Sequence, residues 1–223
     1  MRGVHCPILG PTSEVECMNA RWPRRGLYLV TPDEDDTSRL LTRVEAVVGS
    51  AILLQYRNKS ADRSLRLEQA SALLALCHAH DVPFIVNDDA GIAHDIGADG
   101  VHLGEHDDHI ELARAQSGSV AIIGSSCYDD LQRAEAAAAS GADYLAFGAF
   151  FDSPTKPNAR RASLQLLQQA QRLGLPLVAI GGITPDNAHA VIAAGADLIA
   201  VASGVFDAPD PAVAARAYAA LFH

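Results

Sequence analysis

The chain predicts an α/β fold, a single-domain (β/α)8 TIM barrel, on three observations. From Gly26 onward, short apolar runs rich in β-branched residues alternate with longer stretches of helical period rich in Ala and Leu. Eight such pairs follow one another, the number that closes a barrel. The strand candidates are apolar without interruption, as parallel strands covered on both faces must be.

In chain order the strand candidates are Gly26–Val30, Ala51–Tyr56, Pro83–Val86, Gly100–Leu103, Ala121–Ser125, Tyr144–Phe150, Leu177–Gly181 and Leu198–Ala202. Each is four to seven residues long, which suits a strand and is short for a helix. The helix candidates between and after them lie near Thr37–Val48, Ser64–His80, Ala90–Ile96, His109–Ala115, Asp129–Ala139, Ser163–Leu173, Asp186–Ala194 and Asp210–Leu221. A phrase recurs where helix gives way to strand: Gly97-Ala98-Asp99, Gly141-Ala142-Asp143 and Gly195-Ala196-Asp197. Gly stops the helix there and a tight entry into the next strand follows, so these turns read as structural and belong to the bottom face. A doubly wound open sheet is the competing architecture. Evenly spaced units, and no Gly-rich dinucleotide turn after the first strand, argue against it.

At 223 residues the chain can bury one sizeable core without dividing. Its formal charge of −10 argues against a nucleic-acid partner, whose phosphates demand a basic face, yet allows a small phosphorylated molecule in a locally basic pocket. Cys6, Cys17, Cys77 and Cys127 show no metal or CxxC spacing and suit a reduced, cytoplasmic chain. Cys127, near a strand end, reads as packing. No apolar run approaches the roughly 20 residues of a membrane span. Residues 1–25 lack the pattern of a signal peptide and are expected to form a loosely ordered extension, with Met18 an alternative start; the barrel domain is then 26–223. Oligomeric state stays open, a homo-oligomer included.

Polar clusters stand where the strands end, and in a barrel that is the rim where active sites lie. Gln55, Arg57 and Lys59 alternate, so strand periodicity sends an amide, a guanidinium and an ammonium to one face. Holding them together inward is costly without an anion, and a diphosphate suits them. Asn87-Asp88-Asp89 closes the third strand and Asp107 follows the fourth. Carboxylates on adjacent loops are how Mg²⁺ is usually held, with diphosphate oxygens and water completing the shell. Asp88 as a helix N-cap is the rival reading, and Asp89 can be the cap at the same time. His102 reads as a core histidine, one step back from any chemistry. Phe150 to Pro157 leaves an apolar run and brings Ser153, Thr155 and Lys156 into four residues, a set of donors for an oxyanion. Gly181-Gly182 and Ala202-Ser203 follow the last two strands, where such barrels commonly form a phosphate cup from backbone N–H groups. Two anion sites on one rim point to two substrates or one bisphosphorylated ligand.

These motifs, taken in order with Gly124-Ser125-Ser126 and Ala179-Ile180-Gly181-Gly182-Ile183, closely resemble the thiamine-phosphate synthase family from Gly26 to the C-terminus. The resemblance implies a transferase that joins 4-amino-2-methyl-5-hydroxymethylpyrimidine diphosphate to hydroxyethylthiazole phosphate and releases diphosphate. It implies that Gln55, Arg57, Lys59, Asn87, Ser126 and Lys156 hold the pyrimidine diphosphate, with Arg57, Lys59, Ser126 and Lys156 taking part in catalysis. Asp88 and Asp107 would hold Mg²⁺, and Ser153, Pro154, Thr155, Gly182, Ala202 and Ser203 the thiazole phosphate. Glu105 stands where the family commonly has Gln, Ser153 where it more often has Thr, and Asp152 adds a negative charge beside a phosphate site. A thiazole tautomerase relative, which transfers protons and needs no diphosphate set, and a non-catalytic phosphate-sensing barrel are the alternatives.

Overall fold

The computed structural model describes residues 25–104, 110–118, 121–152 and 160–222. Of the extension 1–25, only Arg25 is among them; its guanidinium donates to the Ala196 carbonyl at 3.3 Å and stacks over the Phe222 ring.

Eight strands close a parallel barrel in sequence order: β1 (Gly26–Val30), β2 (Leu53–Tyr56), β3 (Phe84–Asn87), β4 (Gly100–Leu103), β5 (Ile122–Tyr128), β6 (Tyr144–Gly148), β7 (Leu177–Ile180) and β8 (Leu198–Val201), with β8 pairing back to β1. Around them lie α1 (Thr37–Glu45), α2 (Arg63–Ala79), α3 (Ala90–Ile96), α4 (Ile110–Ser117), α5 (Leu131–Ala139), α6 (Leu164–Ala170), α7 (Ala188–Ala193), the short α8 (Ser203–Phe206) and α9 (Pro211–Ala219). Every predicted strand and helix is present. The four-residue α8 is additional, too short to leave a helical period in the sequence. Several strand ends also shift, and two of the shifts bear on the site. β5 runs on through Ser126 to Tyr128 with a register shift between those residues, whereas β6 stops at Gly148 because Ala149 turns to pair with Arg160 and Ala162.

The uninterrupted apolar runs resolve into two cores. Tyr28, Val30, Leu53, Ile85, Tyr144, Ala146, Val178, Leu198 and Ala200 point into the barrel. Their chain neighbours Leu27, Leu29, Leu54, Phe84, Val86, Leu145, Phe147, Leu177, Ala179, Ile199 and Val201 pack outward on the helices. The period of two is thus intact, hidden because both faces are covered. Helix entry is equally local: Asp36, Asp62, Asp89, Asp130, Ser163 and Asp210 each accept a backbone N–H in the first turn of the helix that follows.

The repeated Gly-Ala-Asp phrase does more than stop a helix. Its Gly turns through the left-handed region at Gly97, Gly141 and Gly195 (φ 70°, 90° and 110°). Its Asp then reaches back across the bottom of the barrel to the preceding strand. Asp99 accepts from Phe84 N at 2.8 Å, Asp143 from Ile123 N at 2.7 Å and Asp197 from Leu177 N at 3.0 Å. The backbone N–H of each Asp donates to the carbonyl of the same residue, at 3.1, 2.7 and 2.8 Å. Three strand pairs, β3/β4, β5/β6 and β7/β8, carry the same clasp.

Inside the barrel, Gly124 lies opposite Tyr144 in the register, and a Cβ there would stand 1.9 Å from Tyr144 Cζ. The missing side chain is the space the phenol ring occupies. Gly124→Ala should therefore destabilise the protein by about 1–3 kcal/mol, the usual cost of overpacking. Gly49→Ala, with nothing within 4 Å of its new methyl, should be neutral or mildly stabilising. Urea denaturation of both variants checks this, and equal stabilities would mean that Tyr144 moves aside freely.

Candidate active site at the barrel mouth

The residues at the end of β2 are aimed by what lies between them. Asn58 is buried; its amide donates to the Glu34 carbonyl at 2.5 Å and to Gln69 Oε1 at 3.0 Å. Gln69, fully buried on α2, donates in turn to the Glu34 carbonyl at 2.9 Å and accepts from Tyr56 Oη at 2.8 Å. With Asn58 pulled down, Arg57 and Lys59 are left together at the surface. Thr31 straps the Arg57 backbone from the β1 side, accepting its N–H at 2.9 Å and donating to its carbonyl at 3.1 Å. Below Asn58, Glu34 is held by Arg39 and by the N–H groups of Asp35 and Asp36, which hold its carboxyl down at about 2.

The predicted basic cluster exists, but its counter-charges come from the protein. Arg57 Nη1 lies 3.3 Å from Asp33 Oδ1, which also accepts from Lys59 N at 3.0 Å. Lys59 Nζ lies 3.2 Å from Asp88 Oδ2. Asp33 was not a sequence candidate: it sits in the first loop, far along the chain from the groups it faces. Gln55 points inward from within β2, while Arg57 and Lys59 lie just beyond the strand.

Asp88 and Asp89 divide the two roles open to them. Asp89 caps α3, accepting from Ile92 N at 2.9 Å, and faces Arg66 at 3.3 Å. Asp88 takes a left-handed backbone (φ 62°) anchored by its N–H to the His102 carbonyl at 2.8 Å, which turns the carboxylate toward Lys59. Lys59, Asn87, Asp88 and Arg66 share a cleft of 310 Å³ with Tyr56, Asn58, Ala61, Val86 and Ile92. In it, Arg66 Nε is buried with no hydrogen-bond partner among the described residues. A carboxylate with hard oxygen donors, beside cations that would draw in a diphosphate, suits Mg²⁺. The second predicted ligand, Asp107, lies outside the described residues, as does Glu105. A wider recess of 710 Å³ beside α1 is lined by Asp35, Asp36 and Glu68 and is ill suited to an anion.

Beneath the mouth runs a chain of polar side chains on five strands. Gln55 Nε2 donates to Tyr28 Oη at 2.5 Å, Tyr28 Oη meets Tyr144 Oη at 2.7 Å, Tyr144 Oη meets His102 Nδ1 at 2.8 Å, and His102 Nε2 meets Ser126 Oγ at 2.9 Å. Burial pushes the His102 imidazole down to about 4, so it is neutral at physiological pH, and pushes both phenols above the ordinary tyrosine range. His102 thus touches the predicted site residue Ser126 directly, one step back from the chemistry as the sequence suggested. Tyr28 and Tyr144 were missed as site residues, since within an apolar run a tyrosine reads as packing. Arg133 on α5 ties Ser126 to the β4 end, donating to the Ser126 carbonyl at 2.8 Å and the Gly104 carbonyl at 2.9 Å. Ile180, more exposed than its neighbours on β7, adds an apolar side to the mouth.

On the opposite side the loops after β6 and β7 are zipped together: Phe150 N donates to Ile180 O at 3.2 Å and Phe151 N to Gly181 O at 3.0 Å. A Cβ on Gly182 (φ 64°) would meet the Asp152 carbonyl oxygen at 2.3 Å, so only glycine permits the two loops to pass. Asn187 braces the turn, donating to Gly182 O at 3.0 Å and accepting from Thr184 N at 2.8 Å. Gly182 is thereby set against the Phe151 and Asp152 backbone. Ser153, Pro154, Thr155 and Lys156 themselves lie outside the described residues. Ala202 and Ser203 close β8 and open α8. Asp152, whose charge had no sequence explanation, is paired with Arg161. Cys77 and Cys127 are buried with thiols pushed up to about 12, consistent with packing.

The model of the family described as thiamine monophosphate synthase matches residues 27–205. A thiamine-phosphate synthase from Xanthomonas campestris pv. campestris (strain 8004) is 58% identical over 198 residues, covering 89% of this chain and 96% of that protein. One from Aromatoleum aromaticum is 55% identical over 200 residues, covering 89% and 96%. Among solved structures, a thiamine phosphate pyrophosphorylase from Pyrococcus furiosus superposes with a TM-score of 0.77 at 35% identity, covering 88% of this chain and 94% of its own. A 3-hexulose-6-phosphate synthase, at 22% identity and a TM-score of 0.67, shares the fold.

Asp33 is paired with Arg57, so an anion binding there would compete with it. Asp33→Asn removes the competing charge while its amide oxygen can still accept from Lys59 N. A partly exposed pair of this kind is worth up to about 1 kcal/mol, so inorganic diphosphate should bind up to about fivefold more tightly by titration calorimetry. Weaker binding would show that Asp33 shapes the loop and does not compete.

Proposed function

This chain belongs to the thiamine monophosphate synthase family and is a transferase, and we propose that it joins 4-amino-2-methyl-5-hydroxymethylpyrimidine diphosphate to hydroxyethylthiazole phosphate with loss of diphosphate. The observation that carries this reading is the cleft at the ends of β2 and β3, where Lys59, Asn87 and Asp88 converge. A proton-transferring relative has no need of such a diphosphate set.

In this reading Gln55 and Ser126 contact the aminopyrimidine ring, and Arg57, Lys59, Asn87 and Lys156 hold its diphosphate. Ser153, Pro154, Thr155, Gly182, Ala202 and Ser203 hold the thiazole phosphate. Mg²⁺ on Asp88 and Asp107 would supply further positive charge to the diphosphate oxygens. The C–O bond of the pyrimidine methylene breaks and the diphosphate departs with the electron pair. The electron-rich ring supports the cationic carbon left behind, and the thiazole nitrogen donates its lone pair to form the new C–N bond. No proton has to be removed from either partner, so the absence of a general base among the predicted site residues costs the mechanism nothing. Arg57, Lys59 and Lys156 act where charge develops, on the leaving group. Approach of the second ring is a matter of positioning between two anchored phosphates.

Purified protein given both substrates and Mg²⁺ should form thiamine phosphate and diphosphate in equal amounts, and EDTA should stop it. Binding without diphosphate release would mark a sensor and sink the proposal. Asp88→Ala should lower kcat by about a hundredfold or more with an unchanged circular dichroism spectrum; full activity would remove Asp88 from the site. Lys156→Ala should lower kcat by orders of magnitude, because leaving-group charge grows only in the transition state. An effect confined to the KM for thiazole phosphate would instead place Lys156 on the other substrate.

A further inference from the structure

We infer that Tyr28, Tyr144 and His102 form a one-way chain of hydrogen bonds that fixes Ser126 as a donor, and Gln55 as an acceptor, toward the ring of the bound ligand. The inference rests on the preceding reading of Ser126 and Gln55 as ring contacts, and it makes the three buried side chains positioning residues.

The direction follows from counting protons. An amide nitrogen can only donate, so at 2.5 Å from Gln55 Nε2 the Tyr28 oxygen accepts. Tyr28 then has its own proton for Tyr144, 2.7 Å away, and Tyr144 has its proton for His102 Nδ1 at 2.8 Å. A neutral imidazole that accepts at Nδ1 carries its hydrogen on Nε2. That hydrogen goes to Ser126 Oγ at 2.9 Å, so the serine's own proton is turned away from the histidine toward the mouth. At the other end the Gln55 carbonyl oxygen has no partner among the described residues, and it is the group left for a ligand N–H. The mouth therefore offers a donor on β5 and an acceptor on β2, complementary to a ring carrying both a nitrogen acceptor and an amine.

The links are held by packing as well. The Tyr28 and Tyr144 rings meet edge to face at 5.9 Å, and Tyr144 stacks on His102 at 5.4 Å. Turning the Gln55 amide over would reverse every bond: His102 would carry its hydrogen on Nδ1 and Ser126 would spend its proton on the histidine. The His102 tautomer thus reports the direction of the whole chain.

The test uses the ligand-free, full-length protein labelled with ¹⁵N-histidine, in long-range ¹H–¹⁵N correlation spectra, with His102 assigned from a His102→Gln sample. A single Nε2–H tautomer is expected; an Nδ1–H tautomer, or a mixture, overturns the inference. Tyr144→Phe keeps the ring stack and removes the donor. It should mix the two tautomers and raise the KM for the pyrimidine diphosphate about fivefold to thirtyfold, the effect of one or two kcal/mol, with the thiazole phosphate KM unchanged. Adding Ser126→Ala to Tyr144→Phe should then cost less than the same change in the wild type, whereas full additivity overturns the coupling. Tyr28→Phe breaks the chain one link earlier and serves if Tyr144→Phe fails to fold. Because the tautomer is read without substrate, an Nε2–H result in a protein that makes no thiamine phosphate would dismiss the proposed function and leave the chain standing.

Discussion

Three carboxylates at the closed end of the barrel set what the open end can contain. In a parallel sheet a slip of one residue turns every side chain to the other face. Asp99, Asp143 and Asp197 each bind both the N–H and the carbonyl of one residue on the preceding strand, and so hold β4, β6 and β8 in a single register. That register sends Tyr144 inward opposite Gly124, and His102 opposite the same glycine from the other side. The chemistry at the mouth is thus specified from the bottom, across the length of the strands.

Much of this is legible in the chain because barrel units are local. Strand and helix alternate at short range, polar residues gather where strands end, and the Gly-Ala-Asp turn repeats. What escaped is what depends on contacts between distant segments. The purpose of the Asp in each turn appears only when the previous strand lies beside it. Asp33 gains its meaning from Arg57, 24 positions away, and the two tyrosine hydroxyls from each other, 116 positions apart. The choice between Asp88 and Asp89 as cap is settled by a left-handed φ, which leaves no trace in the residue types. The short α8 lacks the length to show a period. Asp107 and the Ser153–Lys156 segment remain readings of the sequence.

The resting electrostatics of the mouth fit a protein of formal charge −10. Arg57 and Lys59 each face a carboxylate, so the basic cluster is kept close to neutral within the protein itself. Both pairs are partly exposed and weak. In the proposed reaction the diphosphate would compete with Asp33 and Asp88 for these two cations.

The polar chain inside the barrel also bears on how such a site can change over generations. Its members come from β1, β2, β4, β5 and β6, and each passes a hydrogen to the next. Replacing one member strands a buried donor or acceptor in its neighbours, where replacing all of them by apolar residues need not. Small steps toward a ring of different polarity would each cross a less fit intermediate. A lineage could alter the loops around this mouth one residue at a time, but it would have to exchange the interior as a block.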